Sequence, residues 1–164
     1  DLLPTLAAAA GEPDVVEKLK KGASYGGGNY KLYLDGFDQT ALFSGKSEQS
    51  ARSFIFYYDE TVLTAIRYRQ FKVIFSAKMG GHWDDPLQHL GRPVITNLLM
   101  DPFERQWGDV NRQYAEHKGW VLTPMLGIAM QHLASFKEFP VRQVGLSAVV
   151  GKTLESIQSL QLRG

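Results

Sequence analysis

The chain has 164 residues, of which 44% are hydrophobic and 21% are charged, which is ordinary for a globular protein with one core. Its formal net charge of +1 and its scattered Lys and Arg residues give no support to a nucleic-acid surface or an anionic-membrane surface. Without cysteine, the chain cannot form disulfides, thiolate metal sites or a cysteine nucleophile. No apolar run approaches the roughly 20 residues that span a bilayer.

Two short helices and a glycine-rich loop are predicted at the start of the chain. Residues 1–10 favour a helix capped by Asp1, and residues 13–21 favour a second helix with its lysines near the C-terminal end. Because the sequence begins on a helix cap, we expect the 164 residues to be part of a longer polypeptide. The segment "GASYGGGNY" at 22–30 lacks the Lys-Ser/Thr pair of a phosphate-binding loop, so we interpret it as a plain loop.

A short strand and a short helix come next in the prediction. The segment "YKLYLDG" at 30–36 predicts a strand that ends in an Asp-Gly turn, where Gly36 would supply a positive φ. The segment "DQTALFSGK" at 38–46 predicts a short helix, with Asp38 as its cap and Gly45 at its end.

The middle of the chain predicts four antiparallel strands. Three runs of aromatic and β-branched residues are separated by short polar joints, which favour hairpins. These runs are 53–58, 62–68 and 71–76. A fourth strand at 94–100 is predicted to end at Asp101 and Pro102, because proline cannot donate a hydrogen bond to a sheet.

Helices are predicted again after residue 110. Apolar residues recur at helical spacing within 126–136, which predicts a helix. They are Leu126, Ile128, Ala129, Leu133 and Phe136. Residues 147–162 repeat this pattern behind a Ser147 cap. The predicted fold class is therefore α+β, a four-stranded antiparallel sheet flanked by helices.

The loop at 77–92 carries the candidate binding residues. Its histidines and aspartates could hold a divalent ion, although their spacing matches no helix-borne ligand pair. They are His82, Asp84, Asp85 and His89. A polar surface loop and a small metalloprotein both remain open at this point. The chain contains no Gly-x-Ser-x-Gly nucleophile motif, and we assign no catalytic residue and no metal ligand.

Five segments, read in order, carry a resemblance to a known family. They are "DLLPTLAAAAGEPD" at 1–14, "LDGFDQTALFSGK" at 34–46, "FIFYYDE" at 54–60, "AIRYRQFKVIF" at 65–75 and "NLLMDPFER" at 97–105. Their succession resembles the C-terminal third of the sulfatases, most closely bacterial-type arylsulfatases of the alkaline-phosphatase-like superfamily. The segment "FKEFPVRQ" at 136–143 is also similar to the tail of this group.

The resemblance implies which parts of a sulfatase the chain contains. Residues 1–45 would end the catalytic α/β domain, and residues 46–164 would form the C-terminal subdomain of sheet and helices. Sulfatases attack sulfur with a formylglycine made within a Cys/Ser-x-Pro/Ala-x-Arg motif, and a calcium-like cation binds the sulfate. None of these features can be placed on this sequence, so no cofactor is expected in this segment. The parent enzyme could be periplasmic or secreted, and the sequence assigns no compartment.

The resulting hypothesis is a C-terminal segment of an arylsulfatase-like sulfuric ester hydrolase. It would support an upstream catalytic domain, which is its expected partner and which would bind the sulfate ester. Within the loop at 77–92, Trp83 would offer a stacking face at the substrate mouth. Lys78 and His82 would meet the sulfate or the aglycone. The alternative is a stand-alone, non-enzymatic α+β module that binds a partner.

Overall fold

A computed structural model of the chain describes residues 1–140. The predicted helix at 147–162 lies outside the described residues, as does the end of the "FKEFPVRQ" segment. The chain forms two compact units, the first spanning Asp1–Ser53 and the second beginning at Phe54. The second unit contains a four-stranded antiparallel sheet and helices, which confirms the predicted α+β fold class. None of the helices within residues 1–140 is long and apolar enough to cross a bilayer.

The first unit consists of three short helices and a two-stranded hairpin. Its elements are α1 (Leu2–Ala9), α2 (Val15–Lys21), β1 (Ala23–Tyr25), β2 (Gly28–Tyr30) and α3 (Thr40–Phe43). The predicted helices are all present. The carboxylate of Asp38 accepts hydrogen bonds from the hydroxyl and the backbone N–H of Thr40, and the hydroxyl contact is the main reason that the pKa of Asp38 is lowered.

The glycine-rich stretch at 22–30 is a hairpin, so its prediction as a plain loop was wrong. Strands β1 and β2 pair antiparallel around Gly26 and Gly27, whose φ angles are +55° and +82°. A two-residue hairpin turn with both φ angles positive suits the twist of the flanking strands, and glycine adopts it without strain. The predicted strand at 30–36 was also wrong, because residues 31–39 form neither helix nor strand.

Gly36 has a different role from the one predicted. Its φ lies outside the left-handed region, but a Cβ at this position would lie 2.7 Å from Cγ of Pro4. The chain therefore needs glycine here because the backbone passes directly against α1. Gly36 thus allows the chain to pack closely against α1. The segment that follows is held to α1 because the side chain of Asp1 accepts the N–H of Phe37.

The second unit is built on a sheet in the order β3-β4-β5-β6, with all neighbouring strands antiparallel. The strands are β3 (Phe54–Asp59), β4 (Val62–Tyr68), β5 (Phe71–Ala77) and β6 (Gln88–Asn97). Helix α4 (Asp109–Lys118), a 3-10 turn (Gly119–Val121) and helix α5 (Leu122–Ser135) follow the sheet. The first three strands confirm the prediction. The fourth begins six residues earlier than predicted and ends three residues earlier.

An apolar core lies between one face of this sheet and the helices. Seven buried residues form it: Ile66, Val73, Ile95, Ala115, Val121, Met125 and Ala129. Met125 and Ala129 are the buried residues of α5, whereas Leu126 and Leu133 are 46% and 45% exposed. The helix predicted within 126–136 is present, and Leu126 and Leu133 lie outside its buried face. Val121, Met125 and Ala129 are spaced four residues apart, and this stripe meets the sheet.

Asp101 holds the corner that follows β6. The strand ends at Asn97, whose carbonyl accepts hydrogen bonds from the N–H groups of Met100 and Asp101. The buried Asp101 carboxylate then accepts the N–H of Gln106 at 2.9 Å. The backbone N–H of Arg105 is the main reason that the pKa of Asp101 lies below its ordinary value. Burial opposes this shift, and the N–H of Gln106 adds to it. Asp101 is thus a structural residue.

The outer edge of β6 is paired with a side chain. Asn111, on α4, donates from Nδ2 to the carbonyl of Ile95 at 2.8 Å and accepts the N–H of Ile95 at 3.3 Å. Both residues are buried. A buried backbone amide without partners would be costly, so this carboxamide takes the place of a neighbouring strand at that position.

Candidate functional site

A groove of about 480 Å³ lies at one end of the sheet in the second unit. One wall is the turn between β3 and β4, and the other wall is the loop at 78–87 between β5 and β6. The lining residues are Asp59, Glu60, Thr61, Val62, Lys78, Trp83, Asp84, Asp85 and Leu87. The volume falls within the range of clefts that hold small molecules, roughly 300–1,000 Å³.

The β3–β4 turn forms the first wall and is tightly wound. Asp59 pairs with Val62 across the hairpin, which leaves Glu60 and Thr61 as the two turn residues. Glu60 has a φ of +53°, an uncommon angle for a residue with a side chain. The register of β3 and β4 shifts between Tyr57 and Tyr58, just before this turn. Such an irregularity re-aims the residues that follow it, here Asp59 and the turn.

Lys78 joins the two walls. Its ammonium lies 3.2 Å from both carboxylate oxygens of Asp59 and donates to the carbonyl of Trp83 at 2.7 Å. The two side chains of this ion pair are 30% and 34% exposed, so water screens their attraction only in part. These contacts hold the loop at 78–87 against the β3–β4 turn.

The loop is also braced within itself. The carboxylate of Asp85 accepts the backbone N–H of His82 at 2.8 Å, and the N–H of Asp85 donates to the carbonyl of His82 at 3.3 Å. The same carboxylate lies directly over Gly80, where a Cβ would clash with it. Gly81 follows with a φ of +85°. A loop with this many internal contacts presents its side chains in a defined arrangement.

The structure brings two of the three predicted substrate-mouth residues into the groove. Trp83 stands at the rim with 88% of its surface exposed, and Lys78 lies between the walls. His82 is exposed on the same loop but does not line the groove. Lys78 is already bound to Asp59 and to the backbone of Trp83, so its ammonium positions the loop.

The groove is acidic. Four carboxylates line it, those of Asp59, Glu60, Asp84 and Asp85, against the single ammonium of Lys78. An anion such as sulfate would be repelled by this excess of negative charge. A neutral, hydrogen-bonding ligand or a cation suits the lining better.

The structure does not bring the loop histidines together as metal ligands. His89 belongs to β6, where its Nδ1 lies 2.7 Å from the hydroxyl of Ser76 on the paired strand. Across residues 1–140, no group of three His, Cys, Asp or Glu side chains is arranged to hold a metal ion.

The contribution of the β3–β4 turn to the groove was not predicted. From the sequence alone, Asp59 and Glu60 are expected only to form a polar joint between two strands. One signal was available. In an antiparallel sheet of consecutive strands, β3 and β5 run in the same direction, so the turn after β3 and the loop after β5 lie at the same end of the sheet.

Comparison with known proteins gave one kind of match. No protein-family model and no curated protein matches the chain. Among solved structures, the crystal structure of PsFucS1 sulfatase from Pseudoalteromonas sp. matches with a TM-score of 0.57 and 28% sequence identity. The match covers 69% of this chain and 23% of that one. The chain is therefore similar in fold and in sequence to part of a sulfatase.

Proposed function

We propose that this chain is the C-terminal segment of an arylsulfatase-type sulfuric ester hydrolase and that it supports the catalytic domain of that enzyme. The observation that carries the proposal is the similarity to a sulfatase at 28% identity over 69% of the chain. Because only 23% of that sulfatase is matched, the reaction itself is assigned to residues outside this segment. The arylsulfatase type rests on the five ordered sequence segments.

The exposed face of α1 supports a role as part of a larger enzyme. Leu2, Leu3 and Leu6 are 73%, 56% and 66% exposed, and they lie on a helix of only eight residues. A cluster of exposed leucines marks a surface that packs against other protein. We assign it to the contact with the catalytic domain.

The chemistry of the proposed reaction would come from that catalytic domain. A formylglycine in a Cys/Ser-x-Pro/Ala-x-Arg motif would attack sulfur, and a divalent cation such as calcium would stabilise the charge on the sulfuryl oxygens. We assign neither the nucleophile nor the cation to residues of this chain.

The loop at 78–87 would line the substrate mouth in this enzyme. Trp83 and His82 are exposed and available to the ester, and Lys78 acts as a positioning residue through the carbonyl of Trp83. The contacts that brace the loop would hold these groups in place before the substrate arrives, which lowers the entropic cost of binding.

A sulfate-ester assay tests the proposal. The complete protein that carries this segment should release 4-nitrophenol from 4-nitrophenyl sulfate in the presence of calcium, and mass spectrometry should detect formylglycine in its upstream part. The 164-residue chain alone should release none. Turnover by the 164-residue chain alone, or a complete protein that lacks both turnover and formylglycine, would contradict the proposal.

A further inference from the structure

We infer that the groove beneath Trp83 binds a neutral, hydroxyl-rich sugar ring and that it excludes the sulfate group. The inference rests on the proposed function only in treating this ring as the part of a sulfate ester that lies beyond the reacting sulfur. The binding itself is a property of the groove, and it can be measured without turnover.

Trp83 lies exposed at the rim of the groove, on a braced loop. Its indole is 88% exposed, yet its backbone carbonyl is held by Lys78 and the loop around it is braced by Asp85. The face of an indole is electron-rich and packs against the polarised C–H groups of a saturated ring. An exposed indole on a braced loop at the rim of a cleft is therefore a platform on which a sugar ring can stack.

The lining of the groove is rich in hydrogen-bond acceptors. Carboxylates accept hydrogen bonds and cannot donate them when ionised, and hydrogen bonds from a neutral hydroxyl to a carboxylate are among the stronger kinds. Sugar hydroxyl groups supply such donors around the whole ring. Asp84 is exposed beside Trp83, and Thr61 on the opposite wall adds a hydroxyl that both donates and accepts.

The groove carries an excess of negative charge. Four carboxylates surround one ammonium, and that ammonium is paired with Asp59. A sulfate in this groove would be repelled by the carboxylates. A sulfate ester would therefore place its neutral ring in the groove and keep its sulfate outside it, toward the catalytic domain. The predicted contact of Lys78 with sulfate is replaced here by the contact of Lys78 with the loop backbone.

Nuclear magnetic resonance of the indole N–H groups tests the inference on the 164-residue chain, because the three tryptophans give separate signals. The probes are neutral cello-, xylo-, manno- and galacto-oligosaccharides, with sodium sulfate and choline chloride in parallel. We expect at least one neutral oligosaccharide to shift the Trp83 signal in a saturable manner, with neither sulfate nor choline doing so. Trp83→Phe identifies the signal by removing it, and isothermal titration calorimetry of this variant should show binding retained within about threefold.

Two further variants complete the test. In the same calorimetric titration, Trp83→Ala should weaken oligosaccharide binding at least tenfold, since stacking would be lost. Trp120→Phe changes an exposed tryptophan outside the groove and should leave binding unchanged. Lys78→Met should weaken binding and broaden the Trp83 signal, because the loop loses its attachment to Asp59.

Several results would overturn the inference: no response of Trp83 to any of the four oligosaccharide classes, saturable binding of sulfate, or tighter binding of choline than of sugar. A complete protein that hydrolyses 4-nitrophenyl sulfate while the groove fails to bind sugar would remove the inference and leave the proposed function standing. Sugar binding without sulfatase activity in the complete protein would do the reverse.

Discussion

The two units of the chain are stabilised by different interactions. The second unit buries a cluster of seven residues between its sheet and its helices, including Ile66, Ile95 and Met125. In the first unit, the buried apolar residues are Pro4, Val15 and Leu19, and the remaining buried side chains are polar. A unit of this kind must obtain its order from directional hydrogen bonds, because it has little apolar area to remove from water.

Those hydrogen bonds converge on the side chain of Asp1. Its carboxylate accepts from the N–H of Phe37 at 2.8 Å and from both Nε and Nη2 of Arg52, at 2.9 and 2.6 Å. Thr5 extends the network: its hydroxyl donates to the carbonyl of Asp1 and accepts the N–H of Gln39 at 3.0 Å. The second unit is thus held by an apolar core, whereas the first is held mainly by directional polar contacts.

The largest effect is expected in the core of the second unit. Ile66 is fully buried, so Ile66→Ala should lower the free energy of unfolding by about 2–5 kcal/mol through lost burial and a new cavity. Urea denaturation followed by the fluorescence of Trp120, which packs edge-on against Phe71, measures this. Val62→Ala on the same strand is the control; this residue is 37% exposed and should cost less than about 1 kcal/mol. Equal losses would contradict the assignment of the core.

A smaller loss is expected from the polar network of the first unit. Asp1→Ala removes the acceptor for Phe37 and Arg52, and it should cost about 1–2 kcal/mol, because both partners are only partly buried. Hydrogen exchange of the Phe37 amide reports the loss locally and should become faster. Asp14→Ala changes an exposed carboxylate at the start of α2 and should leave that amide protected. An unchanged exchange rate in Asp1→Ala would show that the network does not hold this unit.

Asp101 is a buried carboxylate in the second unit, and it makes that unit sensitive to acid. Its pKa is lower in the folded chain than in the unfolded chain, so its contribution is present above the unfolded value, about 3.9, and is lost as the pH falls through the folded value. Asp101→Asn should therefore destabilise the chain at pH 7, and its difference from the wild type should shrink below pH 4. Urea midpoints between pH 3 and pH 7 measure this. A difference that stays constant with pH would contradict it, and Asp84→Asn serves as the exposed control.

The smallest effect on stability is expected at Trp83. Because 88% of its surface is exposed, Trp83→Ala should change the free energy of unfolding by less than about 0.5 kcal/mol. Thermal unfolding followed by circular dichroism measures this. A loss above about 1 kcal/mol would show that the indole supports the fold, and it would weaken its assignment as a binding platform.

Strands and short helices were predictable where the local pattern carried the information. The runs that became β3, β4 and β5 combine aromatic and β-branched residues with very short joints, and such joints permit only hairpins. The first half of β6 was missed because Gln88–Pro93 includes Gly91 and Pro93, residues that disfavour strands and that are tolerated here on a sheet edge. Tertiary pairing with β5 decided this segment.

Contacts between distant residues could not be predicted from local pattern. The pairing of Asp1 with Arg52 spans 51 positions, and neither residue differs in sequence from an ordinary surface charge. The loop predicted at 77–92 was identified as a site candidate from its composition, and Trp83 on this loop lines the groove. The engagement of Lys78 by Asp59 was not foreseeable, because it depends on the turn of a different hairpin.

The carboxamide of Asn111 has a consequence for how this protein behaves when it is crowded. β6 is the last strand of the sheet, and a bare edge strand recruits strands from other molecules into continuous fibres. At Ile95 both backbone groups are already occupied by one side chain, so an incoming chain finds no partner there. A single residue on a helix thus closes that position of the edge to pairing with another chain.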